Sequence, residues 1–139
     1  MISHRLLVIE DVQNIADSIC RVATNVGFET CSANGATATA TYDSFHPQVI
    51  VLDLLISGMA EFAFLRFLKV RSSHAHIVIL SGCSEAYRKT AGDLATSSGL
   101  IMEANISKPF RIGEVREVLE EIKKSLSGLE EATSIEGVA

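Results

Sequence analysis

The chain has 139 residues, 47% apolar and 21% charged, with a formal net charge of −5. That is the size and composition of one globular domain rather than of a disordered segment. The acidic balance, two prolines and 6% aromatic content argue against a basic nucleic-acid surface, a proline-rich linker or a base-stacking platform. Three cysteines, Cys20, Cys31 and Cys83, show no CxxC or CxxH spacing, so reduced cytosolic thiols are expected rather than a disulfide scaffold or zinc site. The opening Met1-Ile2-Ser3-His4-Arg5 lacks the layout of a signal peptide. The most apolar window, Val49 to Leu68, is interrupted by Asp53, Ser57, Gly58, Glu61 and Arg66, and a mid-helix charge costs about 3 kcal/mol on insertion. A soluble cytoplasmic protein is expected.

Leu6-Leu7-Val8-Ile9 is a continuous apolar run without alternation, as in a parallel strand covered on both faces, and Glu10-Asp11 follow it at once. Val12, Ile15, Ile19, Val22 and Val26 then recur at helical spacing, with Gly27 as the stop. Phe28-Glu29-Thr30-Cys31 reads as a second strand, and Ala36 to Ser44 as a helix of moderate propensity. Val49-Ile50-Val51-Leu52 is the clearest central strand and again ends in an acid, Asp53. Past Ser57-Gly58, Phe62, Leu65 and Leu68 with Phe64 and Phe67 form the apolar face of a third helix. Ile77-Val78-Ile79-Leu80 is another buried strand, ended by Ser81-Gly82, and Ser84 to Ser98 reads as a polar surface helix stopping at Gly99.

A fifth strand is expected between Leu100 and Ser107, closed by Lys108-Pro109. In the last helix Ile112, Val115, Leu119, Ile122 and Leu126 make one stripe, with Glu114 and Glu117 early and Lys123 and Lys124 late, as the helix dipole favours. From Gly128 the pattern is lost, so residues 128–139 are expected to be a flexible tail or linker stub after a domain of residues 1–127. His4, His46, His74 and His76 show no metal spacing and are expected at the surface, the last two in a loop.

Strands alternating with helices define an α/β doubly wound sheet, in which ligands bind beyond the carboxyl ends of the strands. That rule gathers Glu10, Asp11, Asp53, Ser81 and Lys108 at one rim, each just past an apolar run. Converging carboxylates repel unless a cation neutralises them, and Mg²⁺ suits an all-oxygen site with one or two carboxylates and waters. Ammonium, hydroxyl and metal around a carboxylate make a cradle for a phosphoryl group, which that carboxylate can accept as an acyl phosphate. Read singly, each residue has a plainer explanation: Asp53 as a helix cap, Glu10-Asp11 as a helix N-terminus, Ser81-Gly82 as an ordinary loop, Lys108 as a solvated lysine before a turn.

Four fragments in order, Leu7-Val8-Ile9-Glu10-Asp11, Val51-Leu52-Asp53-Leu54, Ile79-Leu80-Ser81-Gly82 and Ser107-Lys108-Pro109-Phe110, make residues 5 to about 127 resemble the receiver domain of two-component response regulators. The resemblance implies a flavodoxin-like five-stranded parallel sheet in the order 2-1-3-4-5 and phosphorylation of Asp53 by a histidine kinase or phosphotransfer protein. It also implies Mg²⁺ held by Asp11, by Glu10 through water, by Asp53 and by the backbone carbonyl of Leu55. Ser81 would bond a phosphoryl oxygen, Lys108 would pair with it, and the Lys108-Pro109 bond would be cis. Such a protein signals to an output protein or domain, is not an enzyme beyond its own phosphorylation and dephosphorylation, and offers its fourth and fifth helices to a partner or a second copy.

Departures from the family pattern fall at Ser57 and Glu61, where it usually has Pro and Gly, and at Asn105, where it often has an aromatic switch residue. The Gly99–Asn105 segment is also about two residues longer than usual, in a form similar to receivers joined to cyclic-dinucleotide phosphodiesterase domains. Leu55 and Cys83 are poorly suited to orient a hydrolytic water, which predicts slow turnover of the acyl phosphate. Two other classes stay open: a degenerate receiver that binds partners without phosphorylation, and a haloacid dehalogenase-type phosphatase. The second wants another acid two residues past Asp53, where this chain has Leu55. No P-loop run is present.

Overall fold

The computed structural model describes residues 4–55, 62–82 and 84–138, with side chains described to residue 128. Strands and helices alternate as β1 (Arg5–Ile9), α1 (Gln13–Val26), β2 (Glu29–Ala33), α2 (Ala38–Phe45), β3 (Val49–Asp53), α3 (Ala63–Val70), β4 (His76–Ser81), α4 (Glu85–Ser97), β5 (Ile101–Ser107) and α5 (Ile112–Val138). The strands pair in parallel in the order β2-β1-β3-β4-β5. The fold class and strand order expected from the sequence are the ones observed.

Alternation along the strands sorts the core into two layers. Leu7, Ile9, Ile50, Leu52, Ile77 and Ile79 face α2, α3 and α4, where Ala38, Phe64, Leu65, Leu68, Ala91 and Ala95 meet them. Leu6, Val8, Val49, Val51, Val78 and Leu80 face α1 and α5, against Ala16, Ile19, Ala23, Val115, Leu119 and Ile122. Both faces of β1, β3 and β4 are therefore dry, which is why these strands read as unbroken apolar runs. Each fully buried Leu or Ile contributes about 1.5–3 kcal/mol relative to an exposed one.

Gly27 ends α1 in a left-handed conformation (φ 120°), its N–H reaching the carbonyls of Ala23 and Thr24. A side chain there would be strained, and the Lys123 side chain already lies 3.3 Å from where its Cβ would stand. β5 carries a bulge: Ile77 pairs with Met102 and Val78 with Ala104, leaving Glu103 as the extra residue. This lies inside the segment that reads as too long in the sequence.

Several local expectations are corrected. His4 is buried, 4% exposed, because its ring packs against α5 with Nδ1 3.1 Å from Lys123 Nζ. His76 opens β4 rather than sitting in a loop, and its Nδ1 meets Glu103 Oε1. Val12 is the N-cap of α1 and half exposed, outside the stripe that buries Ile19 and Val22. Helical backbone continues past Gly128 through Val138. Leu129, Glu130, Glu131 and Ala132 are good helix formers, and Gly128 alone costs only about 1 kcal/mol. Cys20 and Cys31 are free thiols, and burial pushes Cys20 up from its usual range, making it a weak nucleophile. Among the described residues no helix is long and apolar enough to cross a membrane.

Candidate functional site

The carboxyl ends of β1, β3, β4 and β5 bring Glu10, Asp53, Ser81 and Lys108 to one edge of the sheet. Parallel pairing dictates this: Ile9 stands beside Leu52, Asp53 beside Leu80, and Ser81 beside Ser107. Asp53 is the last residue of β3 and 5% exposed, Glu10 is 4% exposed, and Ser81 is fully buried.

Asp53 has two different oxygens. Oδ2 accepts from Lys108 Nζ at 2.9 Å, and Oδ1 accepts the N–H of Leu55 at 3.0 Å. The loop after β3 is steered further by Leu54, whose N–H donates to the Leu80 carbonyl at 3.1 Å. Lys108 is delivered by a cis Lys108-Pro109 bond, as the resemblance implied, and by its own N–H, which donates to the Ser81 carbonyl at 2.7 Å.

Glu10 is the electrostatically unsettled member. Its Oε1 accepts the Val12 N–H at 3.2 Å, whereas Oε2 is buried and takes no hydrogen-bond donor from the described residues. Its carboxyl is pushed up to about 7, first by burial and then by the neighbouring Asp53, with the Val12 N–H and the Lys108 charge pulling the other way. A buried carboxyl oxygen with no donor, beside a second carboxylate, calls for a proton or a cation.

Asp11 lies at the same rim, and its Oδ1 accepts the Gly35 N–H at 3.1 Å, tying it to the loop between β2 and α2. Leu55 is 60% exposed. Among the described residues no group of three or more His, Cys, Asp and Glu side chains gathers as a metal cluster. The donor set is instead a carboxylate pair, Glu10 and Asp53, with Asp11 alongside. That composition still fits a hard divalent ion, which takes one or two carboxylates and fills its remaining positions with carbonyl oxygens and water. Ser57, Glu61 and Cys83 lie outside the described residues.

Asn105 is bonded rather than free. Its Nδ2 donates to the Arg88 carbonyl at 3.0 Å, and Arg88 Nη2 donates to the Asn105 carbonyl at 2.8 Å. Sequence reasoning singled out Asn105 but missed Arg88. The available signal was only that a polar residue on a strand covered by a helix needs a partner on that helix.

No family model matches the chain. Sporulation initiation phosphotransferase F of Bacillus subtilis is 25% identical over 120 residues, covering 86% of this chain and 93% of that protein. Regulatory protein AtoC of Escherichia coli is 23% identical over 138 residues, and the chain spans only 29% of its length. Among solved structures, the receiver domain of the Francisella response regulator 1452 superposes with a TM-score of 0.73 at 23% identity, covering 89% of this chain and 99% of that one. The structural likeness establishes the fold. In fold the chain is similar to solved receiver domains of response regulators, and in sequence it is similar to the Bacillus subtilis and Escherichia coli proteins at 23–25% identity.

Proposed function

We propose that Asp53 is the phosphoryl acceptor of this domain. The observation that carries this is the pairing at Asp53: one oxygen is held by the Lys108 ammonium at 2.9 Å, and the neighbouring Glu10 keeps a buried oxygen without a donor among the described residues. In the transfer an Asp53 carboxylate oxygen forms a bond to phosphorus. The bond from phosphorus to the donor's imidazole nitrogen breaks, and the imidazole keeps the electron pair and takes up a proton. Lys108 then follows the charge from the carboxylate to the phosphoryl oxygens, and Ser81 offers a hydroxyl to them.

Mg²⁺ would suit the donor set, and Asp11, Asp53 and the Leu55 carbonyl would hold it, with Glu10 acting through water. When bound it neutralises the carboxylates and the phosphoryl oxygens together. The same reading gives the chain a histidine kinase or phosphotransfer protein as donor and an output protein or domain as target. It keeps the chain cytoplasmic, non-enzymatic beyond its own phosphate chemistry, and able to pair with a second copy through α4 and α5.

The test is incubation of the full chain with acetyl phosphate, with and without Mg²⁺, followed by intact mass. One phosphoryl mass is expected, dependent on Mg²⁺ and absent in Asp53→Ala. A modification that survives Asp53→Ala would sink the assignment. No modification with acetyl phosphate, a small-molecule phosphoramidate or a phosphohistidine donor would favour the second reading, a partner-binding receiver that works without phosphate. The bonded state of Asn105 is the observation on that side, because it occupies a position where the family often has a movable ring.

A further inference from the structure

The first turn of α4 is tied on two sides by adjacent residues. Tyr87 lies against Phe62 with the rings tilted by 37° and their centroids 4.8 Å apart, at the end of the loop that follows Asp53. Phe62 holds a left-handed backbone (φ 57°), which a bulky side chain rarely adopts. On the other side Arg88 and Asn105 bond reciprocally: Asn105 Nδ2 to the Arg88 carbonyl, Arg88 Nη2 to the Asn105 carbonyl, and Arg88 Nε to Asn105 Oδ1 at 3.4 Å. The backbone carries the ties onward. Asn105 lies three residues before Lys108, which bonds Asp53. Arg88 donates its N–H to the Ser84 carbonyl, and Ser84 caps α4 three residues after Ser81.

We propose that Arg88 and Asn105 are positioning residues. Their clasp makes the Lys108 end of β5 and the first turn of α4 move as one body, so that occupancy of Asp53 is transmitted to α4 through hydrogen bonds rather than through a swinging side chain. The proposal rests on Asp53 being the acceptor. The geometry favours a bonded coupler over a passive filler. Three hydrogen bonds join one strand residue to one helix residue, and both elements lead directly to groups at the acceptor edge.

The test loads the full chain with Mg²⁺ and beryllofluoride. Fluorine NMR reads occupancy of Asp53, and hydrogen exchange reads the α4 peptide. Loading of the wild type should change exchange across Glu85–Ser97 by about threefold or more. In Asn105→Leu and in Arg88→Ala the mimic should still occupy Asp53, while the α4 change falls by at least about half. Asn105→Gln, which keeps both an amide donor for the Arg88 carbonyl and an acceptor for the guanidinium, should restore it in part. Arg88→Lys is the milder variant should Arg88→Ala fail to melt cooperatively. An α4 response of wild-type size in both Asn105→Leu and Arg88→Ala would overturn the clasp. So would a loaded wild type with no α4 response, and in that case the acceptor assignment would stand. A wild type that takes no mimic at Asp53 would remove the acceptor assignment, and the clasp with it.

Discussion

Lys108 and Asp53, 55 residues apart in the chain, meet at 2.9 Å by reaching across the end of β4, which separates their strands. The lysine is part-exposed and the aspartate is not, so the pair is a solvent-linked charge anchoring a buried one. Its reach matters twice: Lys108 gives Asp53 a hydrogen-bonded counter-charge and also draws the Glu10 carboxyl downward against burial. Lys108→Ala should cost about 1–3 kcal/mol at pH 8, because Asp53 then sits beside an ionised Glu10 without a counter-charge. At pH 5 Glu10 is protonated and the loss should be smaller. Urea unfolding at the two pH values checks this, and an equal loss at both would count against the three-group coupling.

Glu10 sets a pH dependence of its own. Its folded carboxyl titrates at about 7 against 4.5 for the free group, so the folded state holds the proton more tightly than the unfolded state. Stability contributed by this group is therefore present below pH 4.5 and is lost as pH rises through 7. The full loss is at most about 3 kcal/mol for a shift of this size. Metal-free protein should weaken across that window, Glu10→Gln should flatten the curve, and Mg²⁺ should stabilise the wild type more at pH 8 than at pH 5. Thermal melts with chelator and with Mg²⁺ decide it: a wild-type profile already as flat as that of Glu10→Gln would contradict the buried-carboxyl picture.

Leu55 is the accessible handle on phosphate lifetime. It is 60% exposed, and its N–H already bonds Asp53 Oδ1, so its side chain stands near the acceptor without supporting the core. Leu55→Asn or Leu55→Glu should leave stability within about 0.5 kcal/mol, as for most exposed substitutions. Either should shorten the acyl-phosphate lifetime severalfold by giving the attacking water a polar neighbour. Decay of the phosphorylated mass after removal of the donor is the measurement. An unchanged decay rate would show that the Leu55 position does not govern hydrolysis.

What the sequence made legible follows from burial. Val49–Leu52 and Ile77–Leu80 are packed on both faces, so nothing polar interrupts them and the acids and serine that end them stand out. Glu10, Asp53, Ser81 and Lys108 were readable because a parallel sheet forces strand ends to one edge. β5 was less legible: it is an edge strand with half-buried Met102, Ala104 and Asn105, and its bulge breaks the alternation that would mark its bounds. The Arg88–Asn105 clasp and the burial of His4 were not legible, because periodicity assigns faces but not which donor finds which acceptor across them. Phe62 illustrates the same limit, since no local residue preference calls for a left-handed phenylalanine.

The bulge makes the sharpest prediction about the fold. Met102 packs in the layer of α2, α3 and α4, whereas Ala104 and Ile106 pack in the layer of α1 and α5. In an unbroken strand Met102 and Ala104 would share a face, so Glu103 is the residue that changes the phase. Deleting Glu103 should remove the bulge, place Met102 and Ala104 in regular alternation, and leave the Asn105 to Lys108 register untouched. The loss is its pair with His76, a part-buried contact at the edge of the sheet. Deleting Ile106 instead breaks the register beside Leu80, sends an alternation partner to the wrong layer and empties a core position, which should cost several kcal/mol. Chemical denaturation of the two single-residue deletions compares them directly. If deletion of Glu103 proved as damaging as deletion of Ile106, the bulge would be a structural requirement of β5 rather than an accommodated insertion.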